Sequence, residues 1–163
     1  MIPSPLSVTI RPYMRGDLAR LHEIDRICFS PTIAYSLAEL RFYLSGRKAI
    51  GRVAELSGLI AGFAVGRTEN NGLAHVITLD VLPDARRQGV GKALMKDLHA
   101  EFRRRGAGYV ILEVSVDNFG AKRFYLGLGY RFAGLLPGYY NGETDACLMI
   151  RPAAGPPSEG IDG

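Results

Sequence analysis

The stretch Leu79–Ala93, LDVLPDARRQGVGKA, decides the fold, because it joins a strand-like apolar run to a helix-like run through a short loop rich in arginine and glycine. Glycines let a backbone approach a ligand closely, and the N–H groups at the start of a helix attract negative charge. The spacing Arg86-x-x-Gly89-x-Gly91 therefore predicts an anion-binding turn between a strand and a helix. On the loop alone, a turn whose glycines serve only backbone geometry remains the alternative.

Two common phosphate-binding motifs do not fit this loop. A P-loop would need a glycine where Arg86 stands and a serine or threonine where Ala93 stands. A dinucleotide-binding fingerprint would need a third glycine at the position of Leu94. The anion must therefore be one that a different glycine turn recognises.

The periodicity of apolar residues on both sides of the loop predicts eleven elements in the order β-α-α-β-β-β-α-β-α-β-β, a mixed sheet with helices on its faces. Ser36 and Glu39 have the spacing of a capping box at the start of the second helix. The pair Ser57-Gly58 is typical of a two-residue hairpin turn. Asn118 is typical of a residue that caps the last helix. The fold class is thus α/β or α+β.

The composition is that of one ordinary globular domain, expected over residues 1–151, with a Pro/Gly-rich tail over residues 152–163 that is expected to be disordered. No apolar run is long enough to span a membrane, and the first residues do not have the pattern of a signal peptide. Cys28 and Cys147 lie far apart, which favours free thiols in a reducing cytoplasm over a disulfide framework. We expect a monomer or a homodimer.

The charged residues and histidines point to no further ligand. The net charge of +4 is modest and is not interleaved with aromatic residues, which disfavours a nucleic-acid-binding function. His22, His75 and His99 are scattered without the spacing of metal ligands, so no metal site and no role is assigned to them. His99 is expected to face solvent on the third helix.

The loop in its longer form, VLPDARRQGVGKALM, resembles the acetyl-CoA motif of the GNAT (Gcn5-related N-acetyltransferase) superfamily, whose pattern is Gln/Arg-x-x-Gly-x-Gly/Ala. The resemblance implies a GNAT-like, mostly antiparallel central sheet flanked by helices, and acetyl-CoA as the cosubstrate. It further implies that backbone amides of the loop hold the CoA pyrophosphate and that the end of the preceding strand pairs with the pantetheine arm. The residues so assigned are Leu79, Val81, Arg86, Arg87, Gln88, Gly89, Val90, Gly91, Lys92 and Asn118.

Two downstream segments narrow the resemblance. LEVSVDNFGAKRFYLGLGYRFAG is similar to a segment of the alanine N-acetyltransferases that modify bacterial ribosomal proteins, and to the catalytic subunits of archaeal and eukaryotic N-terminal acetyltransferases. GYYNGETDACLMI resembles the ending of the same group. The resemblance implies direct acetyl transfer to the N-terminal α-amine of a protein or peptide, with a ribosomal protein among the possible acceptors.

Acetyl transfer to an amine needs a base for the amine and an acid for the leaving thiolate. Glu113 is the sole charged residue of the strand-like run YVILEVSV, so it is a candidate base, acting directly or through water, although a solvent-facing strand glutamate would look the same. Tyr125 lies on the apolar face of the last helix, where an aromatic side chain is ordinarily part of the core. The resemblance implies that Glu113 is the base and Tyr125 the general acid.

Two further segments are candidates for binding the acceptor. Tyr139 and Tyr140 fall in a turn-like stretch between the last two strands, and Phe29–Tyr35, FSPTIAY, lies between the first two helices. The candidate substrate residues are Phe29, Tyr35, Tyr139 and Tyr140, with hairpin packing as the plainer interpretation of the tyrosines. The segment departs from the Phe-Pro-Trp-Ser pattern of the ribosomal enzymes, and the chain has no tryptophan. A small-amine acetyltransferase (for a polyamine, amino acid or antibiotic) and a non-catalytic acyl-CoA-binding module therefore remain alternatives.

Overall fold

A computed structural model describes residues 7–155 of the chain. Its elements are β1 (Val8–Pro12), α1 (Leu18–Cys28), α2 (Leu37–Tyr43), β2 (Ala49–Leu56), β3 (Leu59–Thr68), β4 (Leu73–Val81), α3 (Val90–Arg104), β5 (Tyr109–Ser115), α4 (Phe119–Gly127), β6 (Arg131–Tyr140) and β7 (Thr144–Pro152). The strands form one sheet in the order β1-β2-β3-β4-β5-β7-β6, in which the β4–β5 pair is parallel and the other neighbours are antiparallel. The element order and the mixed, mostly antiparallel sheet are therefore confirmed.

The local signals in the sequence act as predicted. The Ser36 hydroxyl accepts a hydrogen bond from the backbone N–H of Glu39, and the Glu39 carboxylate accepts one from the N–H of Ser36, each at 3.1 Å. Ser57 and Gly58 have φ angles of 54° and 78° and join β2 directly to β3. Both angles are left-handed, as a two-residue turn that matches the twist of its strands requires.

Helices cover both faces of the sheet. On one face, α3 places Leu94, Leu98 and Phe102 in the larger core. A side chain at Gly66 of β3 would overlap the Phe102 ring, since a Cβ there would lie 2.5 Å from it. On the other face, α1 and α2 form a smaller core around Phe63, with Leu21, Ile24 and Leu40 among its members. Within residues 7–155, no helix is long and apolar enough to cross a membrane.

The sheet opens in the middle, between β4 and β5. These strands pair only over Leu73–Val76 and Tyr109–Leu112, and the register ends there. A bulge at Ile77 follows, because Gly66 pairs with Val76 whereas Val65 pairs with Thr78. The extra residue reverses which face of the sheet each later side chain of β4 points to. Beyond the bulge, the edge of β4 that faced β5 has no neighbouring strand. A wedge therefore opens between the carboxyl ends of β4 and β5.

Three expectations need correction or qualification. Tyr139 and Tyr140 are the last residues of β6, and the turn comes after them at Asn141 and Gly142, which both have left-handed φ angles. His99 is buried, because this side of α3 packs against the chain after α4. At the carboxyl end, β7 includes Pro152 and Ala153 is buried, so the packed chain extends past residue 151. Residues 156–163 of the expected tail lie outside the described residues.

Candidate functional site

Two adjoining cavities lie at the wedge in the sheet. The larger, of about 520 Å³, lies between the loop after β4, the start of α3 and α4. The smaller, of about 120 Å³, lies in the wedge itself. The residues that line both are Phe29, Leu79, Asn118, Ala121 and Tyr125. A ligand in the larger cavity can therefore reach into the smaller one.

The start of α3 forms the anion-binding end of the larger cavity. Arg87 and Gly89 have φ angles of 63° and 81°, and this left-handed turn leads directly into the helix at Val90. No side chain of the described residues caps the helix, so its first N–H groups remain available to a ligand. A Cβ added at Gly91 would lie 3.5 Å from the Phe124 ring, so the glycine keeps this end of the cavity open. The turn suits a pyrophosphate group.

Nearly all of the residues assigned to the cosubstrate line this cavity. They are Leu79, Val81, Arg86, Arg87, Gly89, Val90, Gly91, Lys92 and Asn118. Gln88 is the exception, because its side-chain amide turns back and donates to the backbone oxygen of Asp84 at 2.9 Å. Asn118 also caps α4 as predicted, accepting from the N–H of Ala121 at 3.1 Å.

The free edge of β4 offers backbone groups to an extended ligand. The N–H of Leu82 donates to the Ala61 oxygen in β3 at 2.9 Å. Because backbone groups alternate between the two edges of a strand, those of Leu79 and Val81 face away from β3 and toward the wedge. The Val81 oxygen accepts from Arg86 Nε at 3.1 Å and from Cys28 Sγ at 3.3 Å. The N–H and C=O of Leu79 are placed to pair with an amide-containing arm such as pantetheine.

Glu113 lines the smaller cavity and is held by a residue to which the sequence assigned no role. Its Oε2 lies 2.6 Å from Nε2 of His75, and the two side chains are 13% and 23% exposed. His75 on β4 pairs in register with Ile111 on β5, which places Glu113 two residues further along the same face. His75 and Glu113 are each a polar residue in a mostly apolar strand. Because a helix connects β4 to β5, the sequence also predicts that these two strands are parallel neighbours. That combination is the sequence signal for the pair.

Tyr125 reaches the same cavity from the opposite face of the sheet. It is buried in the α3-side core, and its ring packs edge-on against Tyr130, with 5.6 Å between the centroids. Burial is the main cause that raises the pKa of Tyr125 above its usual value, followed by the nearby Asp80 carboxyl group. The side chain is therefore a neutral phenol that holds a proton to donate.

Glu113 and Tyr125 meet across the wedge because β4 and β5 have separated. Glu113 alternates with Leu112 and Val114, which belong to the α3-side core, so it projects from the other face. Both nevertheless line the smaller cavity. A proton acceptor on one side of a small space and a proton donor on the other can serve a reaction in which a nucleophile enters and a leaving group departs.

The outer wall of the smaller cavity contains three of the four predicted acceptor residues. Phe29, Tyr35 and Tyr140 line it. Tyr139 does not, and is 46% exposed, because successive strand residues point to opposite faces. Burial raises the pKa of Tyr35 and of Tyr140 and raises that of Tyr139 to about 12, so these rings present neutral hydroxyls.

The loop after α1 touches the β6–β7 turn at the outer end of this wall. Asn141 Nδ2 donates to the backbone oxygen of Thr32 at 3.0 Å. The Thr32 hydroxyl donates to the Glu143 carboxylate at 3.2 Å. The two segments that the sequence offered as candidates for binding the acceptor are therefore joined to each other.

Behind Tyr125, the buried His99 belongs to a hydrogen-bonded network in the core. Arg151 donates to Nδ1 of His99 at 3.1 Å, and Nε2 of His99 lies 2.7 Å from the Tyr130 hydroxyl. Because arginine is only a donor, Nδ1 accepts and Nε2 carries the hydrogen that is donated to Tyr130. Burial and the neighbouring Arg151 lower the pKa of His99 to about 3, so it is neutral. The network fixes the ring on which Tyr125 packs.

Comparison with known proteins accords with this geometry. Residues 18–130 match the Acetyltransferase (GNAT) family. The chain is 38% identical over 144 residues to the uncharacterized N-acetyltransferase MJ1530 of Methanocaldococcus jannaschii, covering 87% of this chain and 90% of that one. It is 31% identical over 146 residues to N-alpha-acetyltransferase 20 of Dictyostelium discoideum, covering 86% and 83%.

Among solved structures, the ribosomal-protein-S18-alanine N-acetyltransferase of Escherichia coli superposes with a TM-score of 0.81 at 27% identity, over 90% of this chain and 94% of that one. The family match covers more than half of the sequence, including the glycine turn, the wedge and α4. The chain belongs to the GNAT family of acetyltransferases, and acetyl-CoA is its acetyl donor.

Proposed function

We propose that this enzyme transfers the acetyl group of acetyl-CoA directly to the N-terminal α-amine of a protein or peptide. The observation that carries the proposal is the charge of the acceptor cavity. Among the described residues that line it, Glu113 is the only carboxylate, and His75 already contacts it. Polyamines and aminoglycoside-like antibiotics carry several ammonium groups, which would need several carboxylates. A peptide N-terminus brings one amine, and the aromatic wall suits the neutral groups that follow it.

The joined walls favour the same acceptor. The contacts of Thr32 with Asn141 and Glu143 join the two segments that carry the lining residues Phe29, Tyr35 and Tyr140. A cavity of about 120 Å³ with walls joined in this way suits the end of an extended chain. Relatives named for N-terminal acetylation also support the proposal, since N-alpha-acetyltransferase 20 and the S18-alanine enzyme cover most of the chain.

In the proposed chemistry, one proton is accepted on the Glu113 side of the wedge and one is donated on the Tyr125 side. Bound acetyl-CoA supplies a thioester, whose carbonyl carbon bonds to the amine nitrogen and whose C–S bond breaks, leaving the electron pair on sulfur. Glu113 accepts a proton from the ammonium group, directly or through one water, so that the nitrogen lone pair is free to attack. Tyr125 donates its hydroxyl proton to the departing thiolate. The proton that the nitrogen loses on becoming an amide restores the phenol through solvent, so one proton is released overall.

His75 holds the base in place in this mechanism. An Nε2–H of His75 donates to Glu113 Oε2, which leaves the second carboxylate oxygen free to receive the proton of the amine. We therefore assign His75 a positioning role, in which it fixes the carboxylate toward the cavity.

A panel of acceptors tests the proposal. Short peptides with free N-termini beginning in alanine, serine or methionine are compared with the same peptides N-terminally blocked but carrying an internal lysine, with spermidine and with free amino acids. Product mass spectrometry locates the acetyl group, and release of CoA gives kcat/KM. We expect acetylation of the α-amine of open peptides and no turnover of blocked ones.

The panel also contains the results that would overturn the proposal. A higher kcat/KM for spermidine or a free amino acid than for every open peptide would assign the enzyme to small amines. Acetylation of the internal lysine of blocked peptides would assign it to protein side chains.

A further inference from the structure

Two aspartates lie side by side in the interior, between α1 and the end of β4. Asp25 and Asp80 are each 0% exposed, and their carboxyl groups are within hydrogen-bonding reach of each other. Two adjacent carboxylates, both ionised and both buried, would repel each other in a medium that screens charge weakly. The arrangement therefore requires an explanation.

The hydrogen bonds of the four carboxyl oxygens provide it. Asp25 Oδ2 accepts from the N–H of Tyr35 at 2.7 Å, and Asp80 Oδ1 accepts from the Thr78 hydroxyl at 2.5 Å. Asp25 Oδ1 and Asp80 Oδ2 are buried and have no other partner among the described residues. One hydrogen placed between these two oxygens satisfies both of them.

We propose that Asp80 retains a proton and donates it to Asp25, and that this hydrogen bond positions the wall of the acceptor cavity. Asp25 holds Tyr35 through its backbone N–H, and the Tyr35 ring lines that cavity while its hydroxyl donates to the Ile77 oxygen at 3.4 Å. Asp80 lies between Leu79 and Val81 on the cosubstrate strand. The two aspartates thus tie the acceptor wall to that strand, and the inference rests on the acceptor site proposed above.

The surroundings of the pair favour the protonated form of Asp80. Burial, followed by the contact with Asp25, raises the pKa of Asp80 well above its usual range. Cys28 on α1 faces it as a neutral thiol, since burial raises the pKa of this cysteine to about 11, and Tyr125 on α4 faces it as a neutral phenol. The hydrogen bond from the Thr78 hydroxyl, followed by the charge of Arg86 in the loop after β4, acts in the opposite sense by favouring the anion. The surroundings therefore favour an arrangement in which the two carboxyl groups share one proton.

Asparagine substitutions can distinguish a shared proton between Asp25 and Asp80 from simple packing of the two side chains. In Asp80→Asn the amide oxygen can accept from Thr78 and the NH₂ group can donate to Asp25. In Asp25→Asn the oxygen can accept from Tyr35 and the NH₂ group can donate to Asp80. Each single variant therefore keeps the bridge with a hydrogen that does not titrate. In the double variant Asp25→Asn/Asp80→Asn two NH₂ groups face each other and the bridge is lost. The exposed Asp84→Asn is the matched control.

The KM for an open peptide is measured for each variant over a series of pH values and divided by the wild-type KM at the same pH, so that titration of the peptide amine cancels. We expect this ratio to fall for both single variants as the pH rises through the pKa of Asp80, because the wild type loses the shared proton there and the single variants keep their bridge. The double variant should have a KM about tenfold above that of the single variants at every pH, the cost of an unsatisfied buried polar group. The KM for acetyl-CoA should change less than twofold.

The amide resonance of Tyr35 in ¹H–¹⁵N spectra supplies a readout that needs no acceptor. We expect it to shift as the pH rises through the pKa of Asp80 in the wild type and Asp84→Asn, and to be constant in Asp80→Asn. Failure of every peptide as a substrate would overturn the proposed function and leave this titration in place. A Tyr35 resonance that behaves identically in wild type and Asp80→Asn would overturn the shared proton. A double variant that binds acceptor as well as the singles would overturn the positioning role.

Discussion

At the scale of single residues, the role proposed for Glu113 as a base can be tested separately from binding of the cosubstrate. Glu113 lines the smaller cavity but not the larger one. Glu113→Gln should therefore lower kcat by about 10²- to 10⁴-fold, which is the usual contribution of a general base. The affinity for acetyl-CoA should remain nearly unchanged. His75→Gln should have a smaller effect on kcat, because it disturbs only the orientation of the base. Steady-state kinetics together with calorimetric titration of CoA would check both. Glu69→Gln, in an exposed loop, is the control.

Tyr125 and Tyr130 form a natural pair of matched substitutions, since their rings touch but their hydroxyls differ in role. Tyr125→Phe keeps the ring in the core and removes the proposed acid, so kcat should fall with little change in stability. Tyr130→Phe leaves the buried Nε2–H of His99 without its acceptor, which should lower the free energy of unfolding by about 1–3 kcal/mol and leave kcat nearly intact. Denaturant unfolding and turnover, measured on both variants, would check this.

We expect the two variants to differ in opposite ways: Tyr125→Phe should lose turnover but keep its stability, and Tyr130→Phe should lose stability but keep its turnover. If Tyr125→Phe destabilises the protein as much as Tyr130→Phe and retains turnover, then Tyr125 is a core residue and another group protonates the thiolate.

At the scale of the elements, the start of α3 should depend on its backbone more than on its arginines. Gly91→Leu would fill the space next to Phe124 and Val81, where pantetheine is expected to pass, and should weaken acetyl-CoA binding strongly. Arg86→Ala should weaken it less, because the Nε of Arg86 donates to the backbone oxygen of Val81. Calorimetric titration of CoA with both variants gives the comparison, and a greater loss in Arg86→Ala would contradict this ranking.

The elements that could be predicted from the sequence are those fixed by local interactions. The capping box at Ser36, the turn at Ser57-Gly58 and the cap at Asn118 each act within a few residues, so their patterns identify them directly. The segment PGYYNG predicts a turn that includes the two tyrosines at the end of β6, because it contains several turn-forming residues. The strand continues through them because it pairs with β7 up to Tyr140 and Thr144, a contact that composition does not encode.

The parts of the site that could not be predicted depend on contacts across the sheet. His75 lies 38 residues before Glu113, and although each is a polar residue in a mostly apolar strand, their contact depends on the register of two parallel strands, which the sequence pattern does not give. His99 was expected to face solvent because helical periodicity marks only one apolar face, whereas Tyr130 and Arg151 cover a second face of α3. The Asp25–Asp80 contact likewise needs both a bulge in β4 and the packing of α1 against it.

At the scale of the whole molecule, the opening in the sheet is what brings its parts together. A continuous sheet would separate the α3-side core, which carries Tyr125, from the α1-side face, which carries Glu113. The bulge and the divergence of β5 remove that barrier and expose backbone groups of β4 at the same place. Asp25 and Asp80 then stabilise the opened end by linking α1 to β4 without crossing the cavity.

This link predicts how the stability of the whole chain depends on pH. The pKa of Asp80 is raised in the folded state above its unfolded value of about 3.9, so the folded state holds more protons than the unfolded state between these two values. The contribution of Asp80 to the free energy of unfolding is therefore complete below about pH 4 and is lost as the pH rises through the folded pKa, by up to about 1.4 kcal/mol per pH unit. Asp80→Asn does not titrate, so its free energy of unfolding relative to the wild type should increase with pH across that window and then level off.

Urea unfolding of the wild type and Asp80→Asn at a series of pH values would measure this difference directly. Taking the difference removes the titration of the other carboxylates, such as Glu101, whose pKa is lowered to about 2 mainly by its hydrogen bond with Arg104 and whose effect on stability has the opposite sign. The exposed Asp84→Asn should give a difference that does not vary with pH. A constant difference for Asp80→Asn as well would mean that Asp80 ionises at its ordinary pKa, and the two buried carboxylates would then have to be stabilised by something other than a shared proton.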